Sequence, residues 1–169
     1  SGDIMFQGCT TENTQKAFDE LNKLIFVDPE NSRIQLTFAK LLMKEEAYDQ
    51  AYALLEKTPL KSVSEEAVVL MTNALFLSTA QQVEDAEVLE SKLEVNPDDA
   101  DILFQLCSHK MMQSKYTEAM DILLRVIKLD YAWRDGIASL CMRGLFIMLG
   151  KENEVVIEYR QKLIDQQSH

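Results

Sequence analysis

Residues 48–55 read Tyr48-Asp49-Gln50-Ala51-Tyr52-Ala53-Leu54-Leu55, and residues 116–123 read Tyr116-Thr117-Glu118-Ala119-Met120-Asp121-Ile122-Leu123. Tyr, Ala and Leu recur at the same spacing 68 residues apart, and that shift also lays Pro29 on Pro97. Half of it, 34 residues, carries Ala17 onto Ala51, Leu21 onto Leu55, Leu106 onto Leu140 and Cys107 onto Cys141. Such a period marks one supersecondary unit copied along the chain, because a unit that cannot cover its own apolar face is stabilised by stacking on the next. Between the clear copies Ala74 and Ala86 fall one residue late relative to Ala39 and Ala51. One inserted residue near Thr58-Pro59-Leu60 would cause that.

With only 5 Gly and 3 Pro in 169 residues there are too few turn residues for the many short strands of a sandwich or barrel, so the copied unit is helical. A 34-residue helical period resembles the tetratricopeptide repeat. Small residues belong where the two helices of each hairpin cross. Ala39, Ala74, Cys107 and Cys141 take that place on the first helices, and Ala17, Ala51, Ala86 and Ala119 on the second, with Tyr48 and Tyr116 filling space at the turn. Asp28-Pro29-Glu30-Asn31-Ser32 and Asn96-Pro97-Asp98-Asp99 are helix starts. The patterns predict helices over 12–26, 32–44, 48–57, 64–79, 83–94, 99–113, 117–129, 133–149 and 152–166. The expected fold is an all-α, right-handed helical-hairpin solenoid of about four and a half repeats, one domain spanning 1–169. Residues 3–8 fall where a first helix should precede Ala17 but are too few for a whole one. The chain is therefore expected to begin inside a repeat.

Seventeen Lys and Arg against 28 Asp and Glu give a formal charge of −11, which disfavours a nucleic-acid partner because no basic face offsets it. The acidity is local: residues 59–100 hold nine acids and two bases, whereas residues 101–169 hold nine of each. Three cysteines without paired spacing argue against a disulfide framework and for a cytoplasmic location. The most apolar stretch, 140–149, is broken by Arg143 and is too short for a membrane span, so no membrane partner is expected.

More specific residues follow. The run Leu54-Leu55-Glu56-Lys57-Thr58-Pro59-Leu60, then Leu93-Glu94-Val95-Asn96-Pro97-Asp98-Asp99-Ala100 and Tyr116-Thr117-Glu118-Ala119, resembles the C-terminal half of the bacterial thioredoxin-like chaperedoxins. Asp130, Trp133, Asp135-Gly136, Leu149-Gly150 and Tyr159-Arg160-Gln161-Lys162-Leu163 resemble that family's closing helices. The likeness runs from about Phe18 onward. It implies the helical half of a protein whose N-terminal thioredoxin-like domain is absent here, together with any Cys-x-x-C. Members act as redox-linked chaperones that hold unfolding proteins and pass them to a chaperonin or other folding machine. What carries over is the part that holds clients or docks partners, either as a piece of a longer chain or as a truncated relative.

Catalysis has little to stand on. His109 is alone on its helix, His169 is terminal, and Gly136, Gly144 and Gly150 are spaced too widely for a phosphate loop, so no enzyme, metal or cofactor is expected. Cys107 and Cys141 read as small packing residues, and Cys9, in an early turn, as the reachable thiol.

Two candidate surfaces remain. In tetratricopeptide arrays the first helices line a concave face, and the position three before the small residue points into it. That gives Leu36, Met71, Phe104 and Ala138, then Lys40, Leu75, Ser108 and Met142 one turn along, with Met43, Met111 and Met112 beyond. A carboxylate clamp would need Lys, Asn and Arg there, and Lys40 stands alone. A Met-rich trough instead suits variable unfolded ligands, because thioethers repack around different shapes. The competing reading has Phe104 and the methionines covered by neighbouring helices or by a curled C-terminus. The second surface is acidic: Glu84, Glu87, Glu90 and Glu94 run down one side of a helix, as a solvated face or as a dock for basic segments.

The expected function is protein binding, holding non-native clients and docking to a chaperone or chaperonin. The alternative is a scaffold or adaptor for one folded partner.

Overall fold

Side-chain caps start several of the helices that build the hairpins. In the computed structural model, residues 12–57 and 64–168 are described. They form α1 (Glu12–Val27), α2 (Ser32–Lys44), α3 (Tyr48–Glu56), α4 (Glu65–Gln82), α5 (Ala86–Val95), α6 (Ala100–Met112), α7 (Tyr116–Leu129), α8 (Ile137–Leu149) and α9 (Glu154–Gln167), and no strand is present among the described residues. Asn31 accepts hydrogen bonds from the Arg33 and Ile34 N–H groups at 3.1 and 3.2 Å, Asp99 from Ile102 at 3.1 Å, and Asn153 from Val155 at 2.9 Å. Each supplies an acceptor for first-turn donors that have no partner inside the helix.

Helices α2 and α6 end in the same way. The Glu46 N–H donates to the Met43 carbonyl at 3.1 Å and the Ala47 N–H to Leu42 at 2.8 Å. After α6, Ser114 donates to Met111 at 3.0 Å and Lys115 to Lys110 at 2.8 Å. This crossed pair of bonds requires a left-handed residue just past the cap, and Glu46 at φ 58° and Ser114 at φ 57° fill it without being glycine. That conformation costs a side-chain-bearing residue about 1–2 kcal/mol. Gly150, at φ 94° and ψ 141°, closes α8 in a conformation that only glycine adopts readily.

The chain forms two compact units that divide within α4, between Leu75 and Phe76. In the first, α1 packs on α2 and α2 on α3, around Phe18, Phe38, Ala39, Leu42, Ala51, Leu54 and Leu55. The Phe18 and Phe38 rings lie 5.4 Å apart between centroids. In the second, α5 packs on α6, α6 on α7, and α7 on both α8 and α9. Its core holds Leu103, Phe104, Cys107, Ala119, Met120, Leu123, Val126, Cys141, Met142 and Leu145. The Cys107 thiol meets the Ala119 carbonyl at 3.5 Å, so the two small residues face each other at the crossing of α6 and α7. Ala39, Ala51, Ala74 and Cys141 are fully buried, whereas Ala17 and Ala86 are half-buried.

Most predicted boundaries agree to within three residues, with one structural exception. The segment expected as a single helix over 133–149 is two elements: a 3-10 turn at Trp133–Gly136 and then α8. Arg134, Asp135 and Gly136 stand at φ 45°, 59° and 81°, a left-handed run that no right-handed helix can contain. The inserted residue near Thr58-Pro59-Leu60, the partial first helix over 3–8 and Cys9 lie outside the described residues.

Candidate protein-binding surfaces

Burial sorts the predicted trough. In the first unit Leu36 and Met43 are half-buried and Lys40 is exposed, its ammonium paired with the Glu66 carboxylate. Met71 and Leu75 are buried. In the second unit Phe104, Ser108, Met111 and Met142 are buried, while Met112 is exposed. The Ser108 hydroxyl donates to the Phe104 carbonyl at 3.2 Å, which satisfies it inside its own helix. The structure therefore corrects the expectation for Met71, Leu75, Phe104, Ser108, Met111 and Met142, which contribute packing instead of open lining. Leu36, Lys40, Met43 and Met112 remain at the surface.

What covers Phe104 is the 3-10 turn. Its ring stacks on Phe76 at 5.4 Å and 17°, and Trp133 lies against it at 5.4 Å and 52°. The Arg134 guanidinium sits 5.9 Å from the Phe104 centroid and 5.3 Å from that of Trp133, in cation–π range of both. Phe104 is left 1% exposed. Sequence reading missed Trp133 and Arg134 as a cover, although Asp135-Gly136 is a turn signal that should have broken the helix.

The acidic stripe is also rearranged. Glu87, Glu90 and Glu94 project from one side of α5, all exposed, and no cation pairs with them among the described residues. Glu84 precedes the helix: α5 begins at Ala86, the Glu84 carboxylate pairs with Lys92, and its carbonyl accepts the His109 Nε2–H bond at 2.7 Å. The acidic face of α5 is thus three free carboxylates and one that is paired. Asp98 pairs with Arg125 at 3.4 Å, and Asp99 is the α6 cap.

Deep burial pushes the Cys107 and Cys141 thiols well above their ordinary range, which keeps both as neutral packing groups. Tyr159 is raised too, by burial first and then by its 2.5 Å bond to the Asp121 carboxylate. No group of three or more His, Cys, Asp or Glu is placed to hold a metal among the described residues. No helix among them is long and apolar enough to cross a membrane.

Consecutive packed helices with fully buried small residues on α2 and α3 (Ala39, Ala51) and again on α6 and α7 (Cys107, Ala119) mark a helical-hairpin repeat protein. The chain belongs to the tetratricopeptide repeat family: one model of that description matches residues 79–165 and a second matches residues 11–75. Repeats of this kind are protein-interaction scaffolds and generally carry no catalytic groups. A solved domain of protein VP0806 from Vibrio parahaemolyticus RIMD 2210633, of unknown function, is 21% identical over 90% of each chain with a TM-score of 0.42. No curated protein matches the chain.

Proposed function

We propose that this chain is the protein-binding module of a thioredoxin-like co-chaperone, holding non-native clients and docking to a chaperone or chaperonin. The observation that carries it is the trio Glu87, Glu90 and Glu94, free and exposed on one side of α5 in a family whose repeats bind proteins. Unpaired carboxylates attract basic segments, raise encounter rates and set orientation. Client contact falls to Leu36, Lys40 and Met43 in the first unit and, separately, to Met112 in the second, the predicted trough residues that reach the surface. The resemblance to the chaperedoxins' helical half supports the thioredoxin-linked role, and two buried free thiols, Cys107 and Cys141, fit a reducing cytoplasm.

The chain should slow the aggregation of a chemically unfolded protein. Replacing Leu36, Met43 and Met112 together by Ser should weaken that effect. Changing Glu87, Glu90 and Glu94 to Gln should weaken capture of a purified chaperonin. If the intact chain leaves aggregation unchanged, the client-holding role is wrong; loss of chaperonin capture with the Gln variant alone would then mark an adaptor for a folded partner.

A further inference from the structure

Side-chain contact is what fastens the Trp133–Gly136 turn to α6. The Trp133 and Asp135 N–H groups donate to the Asp130 and Ala132 carbonyls at 3.1 and 3.0 Å, within the turn itself. Arg134 and Asp135 hold backbone angles that L-residues avoid, and such angles persist only where surrounding contacts impose them. Beside the turn's packing on its chain neighbours α7 and α8, those contacts are the Trp133 ring on Phe104 and the Arg134 guanidinium over both rings. Beneath lies a ready-made apolar seat, since Phe104 is backed by the nearly parallel Phe76 ring.

A segment bent against its own backbone preference and held by ring stacking is a cover that a competitor can displace. The competitor's chemistry follows from what it replaces: one aromatic ring on the face of Phe104 and one guanidinium above it. We propose that the Phe76–Phe104 ring pair is a seat for a protein segment carrying an aromatic residue next to an arginine, and that Trp133 and Arg134 occupy this seat in cis until such a segment displaces them. The assignment rests on the protein-binding reading above and names the segment chemistry that it takes.

The probe is a blocked peptide with a single Phe-Arg pair in a Gly-Ser background, and the control is the same peptide with Ser-Ser in its place. Trp133 is the single tryptophan of the sequence, so its emission reports the cover directly. The Phe-Arg peptide should shift wild-type emission to the red as the indole moves into water, and the control should not. The Trp133→Ala/Arg134→Ala double variant has no tryptophan and is compared with wild type by titration calorimetry. It should bind the peptide about tenfold tighter through its vacant seat if the cover is open one part in ten. Asp135→Gly removes the strain of one left-handed residue, favours the closed turn and should bind the peptide more weakly than wild type.

Unmoved emission together with no gain for the double variant overturns the proposal. Should the double variant fail to fold, Asp135→Gly decides, and an affinity equal to or above wild type overturns it. Aggregation suppression is read on a separate client, so a chain that passes that assay and fails with the peptide loses the seat and keeps the protein-binding reading.

Discussion

Hairpins α2–α3 and α6–α7, 68 residues apart in the sequence, have the same turn and different faces. Both close on the crossed Met–Leu or Met–Lys carbonyl pair, both place a left-handed side-chain-bearing residue past the cap, and both bury an alanine at the crossing. Yet Leu36 is half-buried where its counterpart Phe104 is sealed, and exposed Lys40 corresponds to buried Ser108. The difference does not lie within the hairpin: Phe104 is sealed by Trp133 and Arg134, which belong to a turn that follows α7. The repeat pattern sets the backbone, and the segments outside it decide which of its side chains a partner can reach.

The largest test of that contrast is truncation at the matching position. Phe104→Ala should destabilise the second unit by about 3–5 kcal/mol, as for a buried aromatic, while Leu36→Ala should cost about 1–2 kcal/mol. Equal losses in denaturant unfolding would show that the cover is immaterial. Ala51→Leu and Ala119→Leu, by contrast, should cost about 1–3 kcal/mol each, since both crossings are fully packed. A tolerated leucine at either site would break the shared register.

Alkali should separate the units next. Cys107, Cys141 and Tyr159 are all raised, so each keeps its proton in the fold at a pH where the unfolded chain loses it. The stability this confers is present below the unfolded values and declines as pH rises, from about pH 8.5 for the thiols and about pH 10 for the phenol. Tyr48 in the first unit is raised as well, by burial first and then by Glu46, so the units differ through the thiols. Hydrogen exchange should rise first in residues 76–168 between about pH 8.5 and about pH 10, and Cys107→Ala with Cys141→Ala should flatten that part of the slope. A decline confined to residues 12–57 would contradict the assignment. The smallest effect should be the same in both hairpins: Glu46→Gly and Ser114→Gly each relieve left-handed strain and should raise stability by about 1 kcal/mol. A gain in one and a loss in the other would mean that the two turns are not equivalent.

The helical-hairpin architecture was legible because it rests on local signals. The period, the helix starts that hold Asn31 and Asp99, and the small residues at crossings are each set by nearby chain. Exposure was less legible, because it depends on what lands on a residue from elsewhere. Phe104 and Leu36 hold the same place in the period, and nothing in their own helices reveals that one is roofed. Glu84 shows the same limit at shorter range: it fits the spacing of the acidic stripe, but the helix starts two residues after it and its carboxylate turns to Lys92.

Cys107 gives the second unit a chemical clock. Its sulfur is sealed at the crossing with Ala119, so an alkylating reagent reaches it only during an opening that separates α6 from α7. When labelling is slow relative to reclosing, its rate at fixed reagent concentration measures the open population at that seam, with no probe added and no residue changed. Ala39, its counterpart in α2, offers no thiol at the matching seam, so the rate is read on the peptide that carries Cys107, apart from those of Cys9 and Cys141.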